Sequence, residues 1–318
     1  MRPLKTLVFN CGSSSLKFEL LELSRQVDFE RTTIALGHYE DLGHPQCQRV
    51  LKTAGGQELR QKLSITDHQG AALDALQWLR SVLRRVDVDV VAHRVVHGGE
   101  KIKDATLADD DTIRALREAS KFAPLHNPAA LATLEAVRQE LPNAIPVVVP
   151  DTAFHHTIPI HARLYAIPRR VSEKYGIRRF GFHGIGHAYM LERTATLMKK
   201  PKEELNLITM QLGGGCSVTA IAAGRSVDTS MGLTPLEGLM MGTRAGDVDP
   251  GLLLYLASEG MTVQEIDRML NHESGLLGLS NVSDDIREVL AAASRDPLGA
   301  AAQAIEAFAY RARKYLGA

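Results

Sequence analysis

The chain opens with a short run from Thr6 to Phe9, breaks at Asn10 into the turn Cys11-Gly12-Ser13-Ser14-Ser15, and resumes as Leu16-Lys17-Phe18-Glu19-Leu20. The alternation of the second segment and the Gly/Ser break before it predict a β-hairpin. Polar, turn-rich sequence follows to about Gly56. Between Ala71 and Arg85, Leu73, Leu76, Leu79 and Leu83 recur at helical spacing, and the β-branched run from Asp87 to Val96 predicts a buried strand ending at His97-Gly98-Gly99. Asn127-Pro128 reads as the N-cap and first-turn pair of a helix to about Glu140, and Ile145 to Val149 as another short strand, closed by Pro150-Asp151. Further on, Val171 to Tyr175 and His187 to Lys199 are expected to be helical, and Leu205 to Leu212 and Ser217 to Ala222 to be paired strands. Helices dominate from Leu252 onward. The last, Ala301 to Leu316, carries Ile305, Phe308, Ala309, Ala312 and Leu316 on or near one face.

Strands alternating with helices of this length predict an α/β architecture, divided near Pro150 into residues 1–150 and 151–318. The segment Ile208-Thr-Met-Gln211-Leu-Gly213-Gly-Gly-Cys-Ser217-Val-Thr-Ala-Ile221 repeats the opening pattern, with Gly213 aligned on Gly12. Two such hairpins, one near the start of each half, suggest a duplicated unit holding a ligand in the cleft between the copies. The alternative is a chance likeness of two common hairpins.

Charge narrows the candidate partners. Lys plus Arg and Asp plus Glu both total 37, so no bulk excess draws the chain to nucleic acid or an anionic membrane. A small anion must be held by local groups. Cys11, Cys47 and Cys216 form no CxxC pair, and no apolar stretch approaches the length of a membrane span; both features lead to the expectation of a cytoplasmic protein.

GxxxxGK(S/T) is absent, and no GxGxxG follows a strand, so phosphate binding would fall to the hairpins. In the first, Gly12 admits an anion to the backbone, three serine hydroxyls donate, and Lys17 supplies countercharge; an ordinary serine-rich turn is the other reading. Seven of the twelve histidines (93, 97, 126, 155, 156, 183 and 187) fall in or beside Gly/Pro-bounded segments. His183 and His187 are spaced as a metal pair on a helix, although Gly184 and Gly186 disfavour helix there. Arg94 at a strand end suits a bidentate grip on carboxylate or phosphate, or a structural ion pair. Asp151, just past a strand, suits Mg²⁺ or the orientation of a nucleophile, or a turn. Arg244 lies in a Gly-bounded loop able to present a guanidinium to phosphoryl charge. Asp247 and Asp249 beside it are a cation pair or turn caps.

Taken together, the blocks NCGSSSLKF, HRVVHGGE, APLHNPA, PDTAFHHTIP, RRFGFHGIGH, LGGGCSV and DTSMGLTPLEGLMMGTRAGDVDPG resemble the acetate kinase family, within the acetate and sugar kinase, Hsp70 and actin superfamily. The resemblance runs over nearly the whole chain. It implies a duplicated, two-domain, actin-like ATPase fold of the α/β class with a ligand cleft between the domains. The implied chemistry is reversible transfer of the ATP γ-phosphoryl group to acetate, with ADP as the other product and Mg²⁺ or Mn²⁺ as the cation. By the same resemblance Asn10 helps bind the metal, Ser13, Ser15 and Lys17 handle phosphate, and Arg94 holds the acetate carboxylate. Val96, Leu125, Phe182 and Pro235 surround the methyl group. Asp151 orients acetate or the metal, and His183 and Arg244 stabilise the transferring phosphoryl group. Gln211, Leu212, Gly213, Gly214 and Gly215 line the nucleotide phosphates, and Asp285, Ile286 and Arg287 meet the adenosine. A homodimer through the second domain is also implied.

The chain departs from the family pattern at four positions: Gln211 stands where a histidine is usual, Gly214 replaces a common asparagine, and Ile185-Gly186 replaces Thr-Ser. The resemblance also implies further chain beyond Ala318, with a Gly-rich adenosine loop, a metal-binding glutamate and a terminal helix. These departures leave a second reading beside the kinase, an impaired pseudokinase or regulatory binder that keeps the cleft. Propionate or butyrate kinase is an alternative within the first, and a metallohydrolase is a distant third.

Overall fold

In the computed structural model, which describes residues 2–24, 31–83 and 87–318, the chain divides into two compact units, Met1–Ala153 and Phe154–Ala318. The first unit runs β1 (Leu4–Cys11), β2 (Leu16–Leu23), β3 (Arg31–Glu40), β4 (Cys47–Thr53), β5 (Glu58–Leu63), α1 (His68–Val82), β6 (Val90–Val95), β7 (Thr106–Leu107), α2 (Asp110–Ala119), α3 (Asn127–Glu140) and β8 (Ile145–Pro150). Its strands form one eight-stranded sheet in the order β5-β4-β3-β2-β1-β6-β8-β7. The hairpin strands β1 and β2 pair antiparallel, whereas β6 and β8 continue from β1 in parallel.

α1 and α3 lie side by side and cover the middle strands, α1 over β2 and β3, α3 over β1 and β6. Leu7, Phe9, Leu16, Phe18, Leu20 and Val91 from the strands meet Leu76, Leu79, Leu131 and Leu134 from the helices in one continuous core. Each such side chain removed from water contributes about 1.5–3 kcal/mol.

Local chemistry sets the boundaries. The Asp67 side chain accepts from the Gly70 amide and starts α1 at His68, three residues before the apolar periodicity begins; the expected end at Arg85 lies outside the described residues. Asn127 is not an N-cap. It is the first residue of α3, and its side chain leaves the helix to bond the backbone of His97. The stretch expected to be turn-rich to Gly56 contains β3 and β4, with β5 close behind. β3 buries only Ala35, Gly37 and Tyr39 on its inner face, two small residues and a tyrosine that barely register as an apolar alternation. β5, at the sheet edge, has no buried residue at all.

The second unit runs α4 (Ile160–Arg163), α5 (Arg169–Tyr175), α6 (Gly184–Met198), β9 (Leu207–Leu212), β10 (Cys216–Ala222), β11 (Arg225–Thr229), α7 (Pro250–Ser258), α8 (Val263–His272), α9 (Gly275–Ser280), α10 (Ile286–Arg295) and α11 (Ala300–Gly317). The strands form an antiparallel sheet in the order β11-β10-β9. α6 packs on β9, and α11 packs on α9, α10 and β10. Contrary to the glycine argument, α6 begins at Gly184 and incorporates both Gly184 and Gly186.

Among the described residues no helix is long and apolar enough to cross a membrane. Cys11, Cys47 and Cys216 are buried free thiols.

Candidate functional site

The first unit gathers its candidate groups at the C-terminal ends of three adjacent parallel strands, where α/β sheets present ligands. Asn10 on β1 is in register with Arg94 on β6, and Asp151 immediately follows β8. The Arg94 guanidinium donates from Nη1 to Asn10 Oδ1 at 2.9 Å and from Nη2 to Asp151 Oδ2 at 2.5 Å. The Asp151 side chain is 4% exposed and that of Arg94 26%, so the carboxylate is spent inward while the cation reaches solvent. Of its five N–H donors, Arg94 commits two to this scaffold, leaving a rigidly held fork able to take a carboxylate.

The turn beside it is fastened from both sides. Gly12 N–H donates to Ser15 O at 2.8 Å, Leu42 N–H to Ser14 O at 2.9 Å, and His68 Nε2 meets Gly12 O at 2.9 Å. Ser13 and Lys17 are exposed and Ser15 half-buried, with Lys17 directly opposite Asn10 across the hairpin. Val96 is buried and Leu125 is 62% exposed. Their loops are clasped by Asn127, which accepts from His97 N–H at 3.2 Å and donates to His97 O at 2.9 Å. Neighbouring His93 lies within β6, buried and stacked on Phe9. Burial pushes its pKa down to about 3, so it is a neutral core group.

The second unit assembles a different set. The turn Gly213-Gly214-Gly215 joins β9 to β10, with Gly213 N–H donating to Gly215 O at 3.1 Å and Gly242 N–H to Gly214 O at 3.0 Å. Gln211 pairs with Ser217 and Leu212 with Cys216. In the first hairpin Asn10 pairs with Lys17, so the second turn is one residue shorter, and the position matching Lys17 is Ser217 rather than Val218.

His183 sits at the start of α6 in the left-handed region, φ 59°. Its Nδ1 meets Ser217 Oγ at 2.8 Å, and the same hydroxyl lies 2.8 Å from His187 Nε2. The two histidines spaced as a metal pair thus converge on a serine. His155, fully buried, holds the preceding residue through an Nε2 contact to Phe182 O at 2.9 Å. Arg244 is fixed by donation from Nη1 to Pro235 O at 3.1 Å. Burial lowers its pKa from the usual arginine value, which leaves it a cation at neutral pH. A Cβ on Gly215 would stand 3.3 Å from His183 Cε1, 3.4 Å from Nε2 and 3.5 Å from Arg244 Nη1. The glycine turn, the imidazole edge and the guanidinium therefore face one small volume, suited to phosphoryl oxygens.

The remaining candidates divide. Phe182 is buried and Pro235 half-buried, the latter in a loop braced by Arg179, which donates to Thr229 O, Ser230 O and Met231 O and pairs with Glu237. Asp247 and Asp249 act as caps: Asp247 takes the Gly238 amide at 2.8 Å and the Tyr315 hydroxyl at 2.5 Å, and Asp249 caps α7. Asp285 caps α10 and accepts from the Arg287 side chain, which draws its pKa down to about 2; Ile286 and Arg287 remain exposed.

Sequence reasoning passed over Ser217, Thr209 and the Arg179–Glu237 pair, which acquire meaning only through strand register. It also missed a coupling between two departures: a Cβ on Gly186 would fall 2.1 Å from Gln211 Oε1, so the glycine makes room for the glutamine.

A sequence model of the acetokinase family matches residues 5–318. An acetate kinase of Halothermothrix orenii is 46% identical over 321 residues, covering 99% of this chain and 79% of its own length. One from Chloroherpeton thalassium is 42% identical, covering 98% and 78%. Among solved structures, Porphyromonas gingivalis acetate kinase superposes with a TM-score of 0.90 at 38% identity, covering 99% of this chain and 79% of that one. A propionate kinase from Francisella tularensis gives 0.90 at 36% identity with the same coverage.

Proposed function

The chain belongs to the acetokinase family, and its α/β architecture is the actin-like ATPase fold of those phosphotransferases; on that footing we propose that it transfers the γ-phosphoryl group of ATP to acetate, giving acetyl phosphate and ADP. The observation that carries this reading is the 46% identity to an acetate kinase across 99% of the chain. The two sets of groups described above fit the chemistry.

Acetate is already a nucleophile at neutral pH, so the protein needs to position and neutralise rather than deprotonate. Arg94 takes the carboxylate through donors not used on Asn10 and Asp151, with Val96, Leu125, Phe182 and Pro235 around the methyl group. Ser13, Ser15, Lys17 and residues 211–215 take the phosphates, and Asp285, Ile286 and Arg287 the adenosine. His183 and Arg244 offset charge on the equatorial oxygens during transfer.

Asn10 and Asp151 offer hard oxygen ligands of the kind that suit Mg²⁺, through acceptor capacity beyond the one bond each makes to Arg94. A cation there would be held by one or two side chains together with the nucleotide phosphates. When bound, it supplies neutralisation of phosphate charge. We place the enzyme in the cytoplasm, which the three buried free thiols favour. We also read it as a homodimer through the second unit, which exposed Leu254, Tyr255 and Val263 support.

Trapping the acyl phosphate with hydroxylamine in the presence of acetate and Mg-ATP tests the activity. Acetyl hydroxamate is expected, and its absence with acetate, propionate and butyrate alike would overturn the proposal. Propionate as the preferred acceptor is the second reading, favoured by the equal TM-score of the propionate kinase. The ratio of kcat/KM for the two acids decides it, one methylene being worth about 1–3 kcal/mol.

A further inference from the structure

The loop that carries Arg244 is tied to the body of the second unit, and one of its ties comes from the last helix, α11. The Arg244 guanidinium donates from Nη1 to Pro235 O at 3.1 Å, so the place of residue 235 sets the place of the cation. Glu237, two positions on, accepts from Arg179 Nη2 at 2.6 Å and from the Tyr165 hydroxyl. Gly238 is bonded twice to Asp247: its N–H donates to Asp247 Oδ1 at 2.8 Å, and its carbonyl accepts from the Asp247 N–H at 2.9 Å. The two bonds close the segment 238–247, which holds Arg244, at its base. Asp247 Oδ2 accepts from the Tyr315 hydroxyl at 2.5 Å, and Tyr315 stands in the last turn of α11. Every donor along this path is fixed by its chemistry. Amide N–H groups only donate, and backbone carbonyls and ionised carboxylates only accept. Burial, then the hydrogen bond to Asp247 and its charge, raise the pKa of Tyr315, so the phenol keeps the proton it donates.

We infer that Tyr315 is a positioning residue for Arg244: it holds Oδ2 of the carboxylate that closes the loop, and so keeps the guanidinium beside the glycine turn, where phosphoryl charge develops. The inference rests on the reading of Arg244 as the group that offsets that charge. With Oδ2 held by the phenol, Oδ1 stays on the Gly238 amide. Without it, the half-buried carboxylate turns about its Cβ–Cγ bond toward water, the amide loses its side-chain partner, and only the backbone bond to Gly238 O still closes the loop. The loop then loosens rather than unfolds, because Arg179 and Tyr165 keep Glu237, and the Gly242 N–H keeps Gly214 O. A guanidinium displaced by a fraction of an ångström leaves substrate binding intact but meets the transition state less well, which lowers kcat and spares KM. Tyr315 itself touches no reacting atom.

Tyr315→Phe in the full chain removes the hydroxyl alone. Assayed with acetate and Mg-ATP well below the unfolding transition, it is expected to lower kcat about 10-fold with both KM values within about twofold of wild type. Two double-mutant cycles trace the path. Tyr315→Phe is expected to add no further loss to Asp247→Ala, and none to Arg244→Ala, because the contact or the cation it acts through is already gone. A hydroxyl that merely steadies α11 would lower the unfolding midpoint and leave kcat untouched, or would subtract the same factor in every background. Wild-type kcat in Tyr315→Phe, or an undiminished loss on top of Asp247→Ala or Arg244→Ala, overturns the inference. The reading beneath it fails separately. Arg244→Ala at wild-type turnover would remove Arg244 from the chemistry and the inference with it, whereas a strongly impaired Arg244→Ala beside a fully active Tyr315→Phe overturns the positioning role alone.

Discussion

The two hairpins carry the same design with different means of supplying charge. In the first, Lys17 stands on the strand opposite Asn10 with its side chain exposed, so the cation belongs to the hairpin itself. In the second, the matching place opposite Gln211 is taken by the buried hydroxyl of Ser217, and the positive groups arrive from elsewhere: His183 from the start of α6 and Arg244 from the loop after β11. On the proposed reading the first turn would bind through an exposed, flexible point charge and the second through rigid groups set by long-range packing. A flexible lysine suits holding a phosphate, and fixed groups suit a transition state whose charge must be met without reorganisation.

The strongest way to break this contrast is Arg244→Ala. Turnover is expected to fall by about 10³-fold or more with the thermal unfolding transition retained, and more than half of the wild-type turnover would refute the assignment. Lys17→Ala is expected to act mainly through binding, raising the nucleotide KM by roughly 10- to 100-fold with a smaller change in kcat. A larger loss in kcat than in binding would erase the distinction between the hairpins.

The units also share a feature that acid exposes. Buried His93 and His187 each titrate near 3 in the folded chain, against about 6.5 when unfolded. Between those values the unfolded state binds more protons, so stability falls as pH drops below about 6.5, by up to ~1.4 kcal/mol per pH unit for each histidine, and is unaffected above it. Urea midpoints measured from pH 7.5 to 5 should show that slope, reduced in His93→Phe; equal slopes in both proteins would contradict it.

The smallest effect concerns the glutamine of the second hairpin. Gly186→Ser is expected to change stability by less than about 1 kcal/mol, because the end of the flexible Gln211 side chain can swing aside and serine is the better helix former, and Gln211→Ala to remove whatever cost remains in a double-mutant cycle.

What could be read from the chain depended on how far apart the cooperating residues lie. Arg94 and Asp151 stand out one by one because each lies at the end of a strand, a local feature, whereas Asn10 is singled out only through the family resemblance. The Arg94 clamp that unites them needed the parallel register of β1, β6 and β8. Ser217 looked like an unremarkable strand residue, since only the pairing with Gln211 and the packing of α6 bring two histidines to its hydroxyl. Asn127 misled for a related reason: its side chain serves His97, thirty positions earlier, rather than its own helix.

The left-handed backbone of His183, φ 59°, sets stability against activity at a single residue. An L-residue with a side chain is held there at a cost of about 1–2 kcal/mol relative to glycine, so at this position glycine is expected to give a more stable protein than alanine. The backbone cost thus falls on a residue that, on the proposed reading, serves phosphoryl transfer. Among variants that remove the imidazole, a thermal screen that omits an activity gate should retain His183→Gly ahead of His183→Ala, since both lose the Ser217 bond and only glycine relieves the backbone.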